Sequence, residues 1–320
     1  MLKMCSGSAP IACMLWSLVA AGCADDGDAA PTVGSPASQA PASDASLSPD
    51  RVASWEVAEV SCPPSPTDMP EQAAAALNLA NTMRAAMGVP CATLDATINL
   101  AAERHCAYFS ANSGACVANP HREVAGCELF VAEAFWDRMT AAGYEGSPAF
   151  ENMAFANDGA IATQMWIDSV WHRTPVLSPW VRHFGYGGEA GCDTMDFGVG
   201  PSTPDDVVAV YPYPGQIDVP TSFSGNEGPP PPSPPAGWPS GYIVHVYAKD
   251  AVIDTHEFLR DEDAQPLPHI WLTPVQEDLL SNEHVMYPHE PLDPGTRYRV
   301  RIVGQYKGGA LDLEWTFTTR

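Results

Sequence analysis

Six cysteines fall between residues 62 and 192 of a chain that opens like an export leader, and together these two facts restrict the fold more than any other feature. The six are Cys62, Cys91, Cys106, Cys116, Cys127 and Cys192. An even count in an exported chain predicts three disulfides. The absence of any C-x-x-C disfavours a zinc knuckle or a redox dithiol. Six cysteines allow about 15 connectivities. The preferred set is Cys62–Cys91, Cys106–Cys116 and Cys127–Cys192, because each closes a helix end onto a loop or onto the last strand.

The leader has Lys3, an apolar run from Ile11 to Ala21, and small residues after it, the pattern of an export signal. The run is too short to span a bilayer as a permanent helix. Its end, Leu18 to Cys23, resembles a bacterial lipobox, with Ala20 where leucine is more usual. Residues 1–23 therefore read as a lipoprotein signal in preference to ordinary signal-peptidase cleavage. Cys23 would become the acylated N-terminus and the membrane the partner of its lipid anchor. The expected location is the bacterial outer membrane or cell surface, with secretion as the alternative.

Residues 24–61 are rich in Ala, Pro, Ser and Asp. Such a segment cannot bury enough surface to offset its conformational entropy, so a disordered tether is expected. As a coil it would hold the folded part on the order of 35 Å from the anchor. Acidic residues outnumber basic ones 39 to 15, a formal net charge of -24. That surface repels nucleic acid, which is excluded as a partner.

The stretch from Phe150 to Arg173, FENMAFANDGAIATQMWIDSVWHR, concentrates the chemistry. Its spacing predicts a helix that stacks Gln164, Asp168 and His172 on one face, ended by Pro175. Upstream, Ala73, Leu77, Ala80, Met83 and Met87 predict a helix closed by Gly88. Asp95 is a plausible N-cap for the next helix, with Ile98, Ala102, His105 and Phe109 on one face. His105 reads as a core or rim histidine. A third helix is expected over Leu129 to Ala142, with strands around His121, Phe150–Phe155, Tyr186–Gly191 and Asp196–Pro201. Helices and strands interleaved in this order suit an α-β-α sandwich.

Trp166, Ser169, His172 and Arg173 give W-x-x-S-x-x-H-R, which resembles the signature of the CAP superfamily in its bacterial extracellular type. That superfamily comprises cysteine-rich secretory, antigen 5 and pathogenesis-related proteins, also termed SCP-like. Leu77–Pro90 resembles its first helix and Leu94–Gly114 its second. NPH brings in His121, FENM stands at its G-E-N, and Gly185–Gly187 resembles its closing G-V-G. The resemblance implies an α+β fold of the CAP type. Carried over residue by residue, it implies a cleft holding His121, Glu151 and His172. A second family glutamate is Ser169 here, which leaves Asp168 as the nearest substitute and His183 as a further edge residue.

Pro229–Pro235 reads as a polyproline-like linker. Beyond it, Tyr242, Val244 and Val246 alternate, as do Tyr298, Val300 and Ile302 opposite Arg297, Arg299 and Arg301. PLDPGTRYRVRIVG with the terminal EWTFTT resembles the last hairpin of bacterial Ig-like domains. The expected organisation is a CAP domain over 62–203, a Pro-rich linker over 204–240, and a small all-β Ig-like sandwich over 241–320.

Two imidazoles and a carboxylate suit Zn²⁺ or another divalent cation, which makes His121, His172 and Glu151 a candidate metal set. No nucleophile elbow or H-E-x-x-H helix is present. The favoured function is a non-catalytic module binding a small molecule, lipid or sterol, glycan or protein. The alternative is a metal-dependent hydrolase with Glu151 as base. Trp166, Trp171, Trp180 and Tyr186 read as core.

Overall fold

Alanine-rich packing begins the folded chain. A computed structural model describes residues 57–189, 191–199 and 207–320. The signal, Cys23 and the tether up to residue 56 lie outside the described residues. Helix α1 (Glu71–Ala86) buries Ala73, Ala76, Leu77 and Ala80, the face predicted from its spacing. Gly88 leaves it at φ +70, a conformation that glycine adopts without strain. Arg84, fully buried on this helix, donates to the carbonyls of Pro90, Val176, Ser178 and Val181. Burial pulls its guanidinium down to about 9.

Strand β1 (Thr93–Leu94) leads into α2 (Ala96–Ala111). The Asp95 carboxylate accepts from the backbone N–H of Thr97 and of Ile98, the predicted N-cap. There follow α3 (Phe135–Ala141), β2 (Ser147–Ala154), α4 (Gly159–Ile167), α5 (Arg173–Leu177), β3 (His183–Glu189) and β4 (Cys192–Val199). The sheet order is β1-β3-β4-β2. Phe184, Tyr186, Met195 and Phe197 share a core with α1, α4 and α5. The alternate residues of the same strands turn to α2: a Cβ at Gly185 or Gly187 would overlap the α2 backbone at Ile98 or Ala102. The result is the expected α-β-α arrangement.

Three local expectations are corrected. The disulfides are Cys62–Cys91, as expected, but Cys106–Cys192 and Cys116–Cys127 instead of the other two preferred pairs. Because α2 lies flat on the sheet, Cys106 faces it at 0% exposure beside the start of β4. Cys116 sits in a 3₁₀ turn beyond the helix end and closes a short loop with Cys127. The third helix begins at Phe135, not Leu129, whose backbone is left-handed at φ 57. The Gln164–Asp168–His172 stripe does not form, because α4 stops at Ile167.

Ten further strands follow: β5 (Val208–Tyr211), β6 (Ser222–Phe223), β7 (Ser240–Gly241), β8 (Val244–Ala248), β9 (Val252–Arg260), β10 (Gln265–Pro266), β11 (His269–Leu272), β12 (Glu283–Pro288), β13 (Arg297–Tyr306) and β14 (Gly309–Thr318). They build two four-stranded sheets, β10-β9-β13-β14 and β11-β12-β8-β5, and the ribbon β6-β7. Tyr298, Val300 and Ile302 of β13 and Leu311, Leu313, Trp315 and Phe317 of β14 are buried as the alternation predicts.

The segment expected as a linker is folded onto both parts. β5 pairs with β8, Trp171 Nε1 donates to Pro229 O, and Tyr287 Oη donates to Pro232 O. Strand β8 and its approach are buried on both faces, with Tyr242 through Ala248 at 0% exposure. One face joins the β-sandwich core. Across the other, Arg173 donates to Ile243 O. The described residues from Val57 onward accordingly form one compact unit.

The close approach of α2 to β3 gives a direct test. Gly187→Ala should lower unfolding free energy by about 3 kcal/mol, the upper end for overpacking, because the obstruction is helix backbone. Urea denaturation of the oxidised protein measures it, and an unchanged midpoint would contradict the packing described.

Candidate functional site

A carboxylate on a buried strand organises the site. Glu151 lies on β2 opposite Asp196 of β4, and its side chain is 1% exposed. Its Oε1 accepts from His121 Nδ1 at 3.0 Å, and its Oε2 accepts from Arg138 of α3. His105 Nε2 stands 3.9 Å from Oε1. Burial alone would raise this carboxyl, but the His121 hydrogen bond and the Arg138 and His105 charges hold it down at about 2. Asp196, fully buried, is pushed well above the usual carboxylate range by desolvation and then by the negative Glu151 beside it.

Behind Glu151 stands His105, read from the sequence as a core or rim histidine, paired with Glu123. His105 Nδ1 donates to Glu123 Oε1 at 2.9 Å, and its Nε2 faces Pro120 O at 2.9 Å. Both ring nitrogens thus face acceptors. The other Glu123 oxygen accepts from the Val131 N–H, fixing the loop before α3. The signal available in the sequence was His105 and Glu123 flanking His121, with no spacing rule to join them.

His172 reaches the site from the turn between α4 and α5, tied to β2 by Asn152 Nδ2 donating to its carbonyl. Its carboxylate partner is Glu227, from the segment read as a linker. Glu227 Oε1 accepts from His172 Nδ1 at 2.7 Å and from the N–H groups of Trp171 and His172. Its Oε2 accepts from the Val170 N–H. Sequence reasoning missed Glu227 here, as it missed Arg138 and Glu123 around Glu151.

The His121 and His172 rings stack with centroids 6.3 Å apart and planes at 26°. They share a cleft of about 330 Å³ with Glu151, Phe135, Trp136, Trp171, Pro229 and Leu279 among its walls. Trp136 is 45% exposed, with the Arg122 guanidinium over its ring at 5.5 Å. The three edge residues stand elsewhere. Asp168 accepts from Tyr242 Oη, Ser169 Oγ donates to Trp166 O, and His183 Nδ1 meets Tyr144 Oη at 3.0 Å. None of the three lines the cleft. Trp166, Trp171, Trp180 and Tyr186 are all under 9% exposed, as core residues.

His121, Glu151 and His172 therefore converge, but not as a three-ligand metal set. Glu151 spends both oxygens on Arg138 and His121. Among the described residues no group of three or more His, Cys, Asp or Glu side chains is arranged to hold a metal ion. What remains is a pair of imidazoles, each held at Nδ1 by a carboxylate. Catalytic zinc sites use three protein ligands.

The Glu151–Asp196 pair generates a pH test. In the folded chain Asp196 keeps a proton that it would release in the unfolded chain above about pH 4. Its raised pKa therefore lowers stability progressively as pH rises. Asp196→Asn removes that dependence, so its stability relative to wild type should increase as pH rises above about 4, by at most about 1.4 kcal/mol per unit. Urea midpoints across that range measure the gap, and a gap independent of pH would refute the assignment.

No curated protein matches the chain. The model described as CAP, Cysteine-rich secretory protein family, matches residues 77–199, so the α-β part is similar to that family and carries His121, Glu151 and His172 within the match, with Glu227 beyond it.

Proposed function

We propose that the protein is an exported CAP-type binding module whose cleft holds a compact ligand without turning it over. The observation that carries this reading is the state of Glu151. A carboxylate paired with Arg138, hydrogen-bonded to His121 and held at about 2 is a poor general base. Apolar and aromatic walls around a few fixed polar groups are the pattern of ligand pockets. With each Nδ1 held by a carboxylate, the rings leave Nε2 for a ligand, which suits a lipid, sterol or glycan offering hydroxyl groups beside an apolar face. The β-sandwich, which resembles bacterial Ig-like domains, serves as platform and wall.

A second reading rests on a specific pattern: imidazoles held at Nδ1 by carboxylates are what surrounds metal-bound histidine. On that reading His121 and His172 hold a divalent cation through Nε2, and the protein is a hydrolase. Chromogenic esters, phosphates and glycosides incubated with the protein and ZnCl₂ separate the two. The expected result is no turnover beyond that of Glu151→Gln. Zinc-dependent turnover abolished by EDTA and by His172→Ala would establish the hydrolase. Binding is read with sterol dispersions, phospholipid vesicles and an oligosaccharide array. Trp136→Ala should weaken whichever binds by about tenfold, about 1.4 kcal/mol.

The location proposed for this module is the surface of the membrane, through acylated Cys23. Cys23→Ala should move the protein from membrane pellets to the soluble fraction, and unchanged fractionation would remove the anchor from this reading.

A further inference from the structure

The cleft is symmetrical in one respect that neither half of the chain explains alone. His121 and His172 each stand with Nδ1 on a buried carboxylate oxygen, at 3.0 Å and 2.7 Å. Among the described residues neither Nε2 has a hydrogen-bond partner in the protein. Glu151, which holds His121, belongs to the sheet. Glu227, which holds His172, arrives 55 residues later from a segment that also supplies Gly228 and Pro229 to the cleft wall.

We propose that Glu227 is a positioning residue of the binding cleft. It sets the His172 ring in the tautomer that carries its proton on Nδ1 and leaves Nε2 as an acceptor for ligand. This rests on the binding reading above and extends it: the cleft requires chain beyond the family-matched stretch. An ionised carboxylate only accepts, so the ring nitrogen facing it must be the donor. Its side chain, 1% exposed, takes four donors at once, so it has no freedom to turn away. Trp171 Nε1, donating to Pro229 O at 2.8 Å, fastens the same segment two residues further on. The rival explanation is that Glu227 merely caps the loop into α5, since three of its four donors are backbone N–H groups. Only the fourth contact, to the ring, distinguishes the two.

Imidazole ¹⁵N spectra of the full protein at alkaline pH, where histidine is neutral, make that distinction. His172→Asn identifies the His172 signals among those of the nine histidines. Wild type should show Nδ1 in the protonated range and Nε2 in the unprotonated range. In Glu227→Gln the amide can present nitrogen or oxygen to the ring, and the two His172 signals should move toward one another, while those of His121 stay in place. Glu227→Asp keeps the charge and the backbone acceptors but withdraws the carboxylate by one methylene, so it reads the same loss if the glutamine variant does not fold. A lowered melting temperature with unchanged His172 signals in a folded variant would reduce Glu227 to a loop cap and overturn the proposal. The spectra need no ligand, so their outcome is separate from any finding of turnover or of no binding.

Discussion

The two halves of the folded chain are held together by a buried positive charge. Arg173 is fully buried at the start of α5. Its guanidinium donates to the carbonyls of Ile167 and Ile243 and lies over the rings of Tyr211 and Tyr242, at 4.7 Å and 5.1 Å. Removing a guanidinium from water costs several kcal/mol unless its donors and its faces are occupied. The occupants of Nε, Nη1 and the two faces come from α4, from β5 and from the approach to β8, while the buried Nη2 has no hydrogen-bond partner among the described residues. The contacts from Tyr211, Tyr242 and Ile243 reach the charge only where the α-β layers and the sandwich pack together.

Glu227 then decides the local fold around His172. If α4 continued, the N–H groups of Val170, Trp171 and His172 would donate to carbonyls one turn back. They donate to Glu227 instead, while Ile167 O accepts from Arg173 and Trp166 O from the Ser169 hydroxyl. The helix ends because its donors and acceptors are taken, and His172 turns out of the stripe into the cleft. A residue 55 positions downstream thus overrides a periodicity that would have been sound for an isolated segment.

The same contrast separates what could be read from the sequence from what could not. Local chemistry was legible: the Asp95 cap, the left-handed Gly88, the buried faces of α1 and of the β13–β14 hairpin. The ordered motifs also identified the three residues that meet in the cleft. Pairings across long separations were not legible. Cys106 finds Cys192 because α2 lies on two glycines of β3, a relation of surfaces with no trace in spacing. His105 is placed by Glu123, and Glu227 lay hidden in a stretch whose prolines suggested a connector. The alternation seen in Tyr242, Val244 and Val246 understated β8, since a strand covered on both faces buries His245 as completely as its neighbours.

The order of these parts along the chain has a consequence for biogenesis. All six paired cysteines precede residue 193, whereas the carboxylate that arrests α4 stands at 227 and β8 further on. Oxidation can therefore finish on an N-terminal portion that has its covalent frame but lacks Glu227 and the later strands. Cross-linking and completion of the cleft are thereby separated along the chain. A chain truncated after the last cysteine would keep all six paired cysteines and lose the carboxylate that faces His172 Nδ1.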